Sequence, residues 1–192
     1  MKRLFVIGLV LMLALPGFSQ EEGTMGSPYL KKGDIVVGGK LALGSVYGAS
    51  VGFVGNLEYG FKEDFLNIAE IPATLGLGVS FGYASYEEDY GVLGVAGQWK
   101  YTNIILLGGA YYHADVLEVE KLDTYAFINI GMNFGSVEWD GPSGNYSSPS
   151  HGGLVGGTGV GARYYVSPQL SVTGEVGVGM GVLRIGIDYK LQ

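Results

Sequence analysis

Two histidines, one run of three carboxylates and six charged residues on alternating positions are the groups in this sequence that could do chemistry. His113, in "YYHAD", could act as a general base toward a serine or a water. His151 sits among Ser147, Ser148 and Ser150, any of which could supply the nucleophile of a Ser–His pair. Loop neighbours without an acid on a rigid element do not make a triad, so no catalysis is expected there. "YEEDY" (86–90) places Glu87, Glu88 and Asp89 together, which could ligate a divalent cation. Adjacent acids at a loop tip are expected to be solvated, and no metal site is assigned. "GTGVG" (157–161) has the look of a phosphate loop, but no helix N-terminus follows to receive an anion. Its glycines read as close strand packing. The remaining set is Lys40, Glu58, Arg163, Glu175, Arg184 and Asp188, three bases and three acids. No catalytic residue, cofactor or metal is expected, and the chain does not read as an enzyme.

The elements that carry these residues alternate with period two. In "TLGLGVSFGYASY" (74–86), Leu75, Leu77, Val79, Phe81 and Tyr83 take one parity. Gly76, Gly78, Ser80, Gly82 and Ala84 take the other. Successive strand side chains point to opposite faces, so one face is large and apolar and the other nearly bare. Eight such segments can be placed, near 34–45, 50–62, 70–86, 101–113, 123–135, 153–166, 170–179 and 182–191. The bare parity is too poor in charge to be a water-facing surface. Rings gather toward strand ends, at Tyr59, Phe61, Tyr83, Tyr112, Phe134, Tyr164 and Tyr189, as in the two girdles of a membrane barrel. A sheet in lipid must close on itself, because unpaired backbone groups are too costly there. The expected fold is therefore all-β, an eight-stranded antiparallel up-and-down transmembrane β-barrel.

Composition narrows the classes. A net charge of −7 argues against nucleic acid as a partner. The absence of cysteine removes disulfides, thiolate metal sites and a lipoprotein anchor. "MKRLFVIGLVLMLALPGFSQ" opens with Lys2 and Arg3, runs apolar from Leu4 to Leu15, and has Gly17 and Ser19 where small residues precede a cleavage site. The domain reading is a signal peptide over 1–19, a polar leader over 20–33 and the barrel over 34–192.

With an even strand count both termini share one end. The links at 62–68, 114–122 and 167–169 then lie at that end, and those at 86–100 and 135–153 lie opposite. Val116, Leu117 and Val119 are expected to cap the mouth at the termini end. All six charges fall on lumen parity, toward the termini end of their strands. An eight-stranded barrel is just wide enough to be filled by side chains, and a confined charge needs a partner. A lumen charge network of Lys40, Glu58, Arg163, Glu175, Arg184 and Asp188 is expected, with Arg163 or Arg184 as the partner of Glu175. His113 shares the inward parity and reads as a hydrogen-bonded residue of the lumen mouth. The glycine-rich remainder of the lumen is expected to hold water.

"LEYGF" (57–61), "YYHAD" (111–115), "LDTYAFINIGMNFG" (122–135) and "GARYYVSPQLSVTGEVGVG" (161–179) resemble the small porin-like outer-membrane β-barrels, with an eight-stranded fold comparable to the membrane domain of outer-membrane protein A. The last strand resembles the signal read by the outer-membrane assembly machinery, at Arg184, Gly186, Tyr189 and Leu191, although the chain finishes on Gln192 rather than an aromatic residue. The resemblance implies a cell outer membrane of Gram-negative type with periplasmic termini. Its implied partners are outer-membrane lipid and lipopolysaccharide, with the assembly machinery and periplasmic chaperones during biogenesis. Some barrels of this size trim lipid A with a Ser–His pair at the outer leaflet; His113 is expected inward and at the other end. The expected role is non-enzymatic, structural or surface contact through external loops. A narrow channel for ions or small solutes is the alternative, and a lipid A-modifying enzyme is a third.

Overall fold

The computed structural model describes residues 29–92, 95–117, 119–142 and 151–191. Eight strands follow in order: β1 (Ile35–Val46), β2 (Ala49–Glu63), β3 (Ala73–Val92), β4 (Val95–Ala114), β5 (Leu122–Asp140), β6 (Gly153–Tyr165), β7 (Leu170–Val178) and β8 (Leu183–Lys190). Each pairs antiparallel with its chain neighbours, and β1 pairs with β8 from Val36↔Lys190 to Leu43↔Leu183, closing the ring. Among the described residues there is no α-helix, only a 3-10 turn at Ile68–Glu70. The β1–β2 turn is a two-residue hairpin whose Tyr47 and Gly48 both have positive φ, 51° and 101°. That twist matches the right-handed twist of the flanking strands.

The large apolar parity faces outward on every strand. Leu41, Phe53, Leu57, Val79, Phe81, Leu106, Ile128, Ile130, Val160, Val172 and Ile185 are all exposed. Such a belt, running round the whole sheet, far exceeds the apolar patches that water-facing proteins carry. It is a surface for hydrocarbon. Rings bound it at two levels. Phe53, Tyr83 and Phe134 form one tier, linked through Phe53↔Tyr83, Tyr83↔Ile104 and Ile104↔Phe134. Tyr59, Tyr112, Tyr164 and Tyr189 form the other, beside Leu77, Leu75, Leu122 and Val37 respectively.

The wall is uneven in height. β3 and β4 have 20 residues each and β5 has 19, whereas β7 and β8 have 9 and 8. A tilted strand crosses a bilayer in roughly 9–11 residues. The link expected at 86–100 is corrected to paired strand from Tyr86↔Tyr101 to Val92↔Val95, the upward extension of the fourth strand that the alternating "GVLGVAGQWK" also allows, and β5 follows β4 as far as Gln98↔Asp140. The alternation continues through it, and cross-strand ring and charge pairs hold it together. The mouth at the termini end differs from expectation as well. Val116, Leu117 and Val119 are 60%, 50% and 46% exposed and stand away from the lumen.

Depth on the belt sets the cost of charge. Val79 lies midway between the ring tiers, while Leu77 is level with Tyr59. Val79→Arg is expected to cost about 2–4 kcal/mol of folding stability in lipid vesicles, and Leu77→Arg less. Urea titration of both variants checks the order; equal and negligible losses would contradict a lipid-facing belt.

Candidate functional site

The inward face begins with glycine. Gly76, Gly78 and Gly82 on β3 and Gly159 and Gly161 on β6 present no side chain, and larger groups from other strands occupy the space they leave. A methyl group at Gly78 would lie 3.0 Å from the Tyr111 ring, and one at Gly82 2.6 Å from the Met180 sulfur. At Gly159 it would lie 2.6 Å from Phe127 Cζ, and at Gly161 2.5 Å from Tyr125 Cζ. The bare parity is therefore where the narrow lumen takes in rings and charged heads.

Those groups stack in tiers. Nearest the termini, Arg163 donates from Nε to Asp188 Oδ2 at 2.7 Å and from Nη2 to Glu58 Oε2 at 2.5 Å. Its Nη1 lies 3.7 Å from Asp123 Oδ2. Thr173 donates to Asp188 Oδ2 at 2.6 Å. His113 is clamped between carboxylates, with Nδ1 3.0 Å from both oxygens of Asp123 and Nε2 2.5 Å from Glu58 Oε1. Carboxylates only accept, so both contacts are hydrogen bonds when each ring nitrogen carries a proton. Farther in, Lys40 Nζ and the Tyr125 hydroxyl each donate to Glu175 Oε1 at 2.6 Å, and Arg184 Nε lies 2.7 Å from Glu175 Oε2. The guanidinium of Arg163 lies over the Tyr125 ring and that of Arg184 over Phe127, each 4.7 Å from the centroid.

All six residues expected in the lumen are buried there, and they fall into two joined groups. Glu175 meets Arg184, one of its two expected partners, and also Lys40. Asp123 was missed, although it shares inward parity with Tyr125 and Phe127 and could have been found from that. With His113 counted as imidazolium, the buried charges balance: Lys40, His113, Arg163 and Arg184 against Glu58, Asp123, Glu175 and Asp188.

Above the charges the lumen turns largely apolar, with Ser80 and Asn129 buried beside the apolar groups. Ala42, Val46, Ala49, Val54, Ala84, Ile105, Leu107 and Met180 form one buried cluster. The glycine-rich upper lumen, expected to hold water, is lined by this cluster, because neighbouring strands supply the bulk. Asn103 and Asn133 close it, bonded at 2.7 Å, and His151 Nε2 meets Asn103 Oδ1 at 2.8 Å. His151 is thus drawn over the mouth, edge-on to Tyr101 at 5.2 Å. The serines considered beside it lie outside the described residues.

Beyond the belt, β3, β4 and β5 form a three-stranded projection with two unlike faces. Tyr86, Trp99, Tyr101 and Trp139 continue the lumen parity, with Tyr86 stacked on Tyr101 at 4.6 Å and the rings of Trp99 and Trp139 tilted against each other at 5.0 Å. The opposite face pairs Glu87, Lys100 and Glu138 in one row and Asp89, Gln98 and Asp140 in the next. Lys100 donates to Asp140 Oδ2 at 2.5 Å, and this bond holds its ammonium above the usual lysine range. Glu88 points away from Glu87 and Asp89, so the three acids of "YEEDY" do not converge on one ion. In the last strand, Arg184 is engaged in the lumen, Gly186 lies against Lys40, and Tyr189 and Leu191 are exposed at the β1–β8 seam.

No protein-family model matches the chain, and no curated protein matches it. Two crystal structures of Ail, the attachment invasion locus protein of Yersinia pestis, are similar to it. One, in complex with the heparin analogue sucrose octasulfate, is 16% identical with a TM-score of 0.42 and covers 82% of this chain and 93% of its own. The other is 17% identical with a TM-score of 0.40, covering 83% and 95%.

Glu175 is the shared partner of two buried cations, so Glu175→Gln strands both. Breaking a buried pair costs about 3–5 kcal/mol, and urea titration of the lipid-folded variant should show a loss of that order. Adding Lys40→Met should recover part of it, as coupled partners do. Strictly additive losses would mean that the two charges do not interact.

Proposed function

We propose that this protein is an integral, non-enzymatic β-barrel of a Gram-negative-type outer membrane, with a structural or surface-contact role. The observation that carries the reading is the contrast between the barrel's interior and its top. The lumen is filled by paired charges and then by an apolar cluster, so little of it is free to pass a solute. What the fold extends instead is the β3–β4–β5 projection, which rises past the belt with an aromatic face and an acidic face.

The termini and the short links are assigned to the periplasm and the projection to the exterior, because barrels of this kind keep short periplasmic turns and longer external segments. The surrounding partners are then outer-membrane lipid and lipopolysaccharide. Arg184, Gly186, Tyr189 and Leu191 would be read by the assembly machinery before the strand closes against β1, and periplasmic chaperones would hold the chain until then. Arg184 has a second role in the folded state, through Glu175. Neither histidine supports the lipid-modifying alternative. Both nitrogens of His113 are engaged by carboxylates inside the barrel, and His151 Nε2 is engaged by Asn103.

An epitope tag inserted after Ser147 tests the orientation, since that stretch is rich in Gly, Ser and Pro. Antibody should label intact cells, and the protein should fractionate with the outer membrane. Labelling that requires permeabilised cells would invert the assignment.

A further inference from the structure

Residues 29–34 do not trail away from the barrel. Leu30 is fully buried, at 0% exposure, and Tyr29 stacks on Tyr165 of β6 with ring centroids 4.1 Å apart. On the other side the segment is bonded to β2: Gly33 N–H donates to the Gly60 carbonyl at 2.8 Å, and Gly60 N–H to the Asp34 carbonyl at 2.9 Å. Gly60 has to be glycine here, because a methyl group would strike the Lys31 carbonyl. A third anchor comes from β8. Lys190 Nζ lies 3.3 Å from Asp34 Oδ2, 5.2 Å from the Tyr29 ring centroid and 5.8 Å from that of Tyr165. Asp34 Oδ2 also accepts the Lys31 N–H at 2.9 Å, which turns the chain inward.

β2, β6 and β8 stand at separate points of the ring, so a segment tied to all three crosses the mouth. Beneath it lie Arg163, Asp188 and Ser171, each 1% exposed or less. We propose that residues 29–34 form a strap that seals the termini-end mouth of the barrel and keeps water from the buried ion network. Its two halves differ in kind. Tyr29 and Leu30 fill the opening, whereas Gly33 and Asp34 hinge it to β2 beside the β1–β8 seam. Dry surroundings strengthen each ion pair below, since solvent would screen it. The strap is bound by few contacts relative to a strand, so it is the part of the interior that can open without breaking the sheet.

The chain has no cysteine, so single thiols report directly. Leu30→Cys and the exposed Lys32→Cys would be reacted with a membrane-impermeant maleimide, in protein purified from membranes into detergent micelles. Heat-modifiable gel mobility would confirm that each variant is folded. Leu30→Cys should label roughly ten- to a hundred-fold more slowly, the protection that burying a leucine side chain provides. Equal rates would overturn the strap. The sealing claim has its own readout. Ser171→Cys should label slowly and become markedly faster when Tyr29→Ser and Leu30→Ser are added. An unchanged Ser171→Cys rate in that folded background would mean that something else closes the mouth.

Discussion

Charge confined in a narrow ring of strands is the constraint on which the rest of this structure depends. Eight strands enclose a space that side chains just fill. A lone ion there would lose its hydration and gain nothing, so each must face an opposite charge at contact distance. Arg163 meets that demand with three carboxylates from three strands, Glu58 on β2, Asp123 on β5 and Asp188 on β8. The contact to Asp123 joins directly paired residues of neighbouring strands, whereas those to Glu58 and Asp188 reach across the interior. They tie opposite walls together, which a ladder of backbone bonds cannot do. Lys40 and Glu175 make a second tie, from β1 to β7.

The distribution of glycine follows from the same confinement. Rings and guanidinium groups need depth, and the sheet yields it by leaving β3 and β6 bare inside. Tyr125 fits against Gly161, Phe127 against Gly159 and Tyr111 against Gly78. Two of the cations, Arg163 and Arg184, then sit over Tyr125 and Phe127. Outside, the requirement reverses. Lipid tolerates bulk and excludes charge, and the outward parity is accordingly large and apolar. One alternation thus serves two solvents.

Much of this was legible in the residues. Strict period-two alternation through Leu75–Tyr83 places every side chain on one face or the other, and the eight strands, their closure and the inward charges follow. Asp123 escaped notice because it begins its segment, where parity has only one neighbour to establish it. The upper part of β3 and β4 read as a loop because Glu87, Glu88 and Asp89 look solvated, and all three are, on a strand. Cross-strand partners decide that case: Tyr86 on Tyr101, Lys100 on Asp140. Leu30 could not be placed from pattern at all, since a short segment that folds back across an opening has no periodicity. Its burial depends on Tyr165, Gly60 and Lys190, which are distant in the chain.

Taken together, these features describe a closed wall with a solid interior, whose distinctive surface is the projection above the belt. The central claim is that paired charges and packed apolar side chains occlude the lumen, and current across a planar bilayer tests it most directly. With the unmodified protein inserted, the account predicts long silent periods broken by rare, small openings. A large and steady conductance would show an open aqueous path and contradict it.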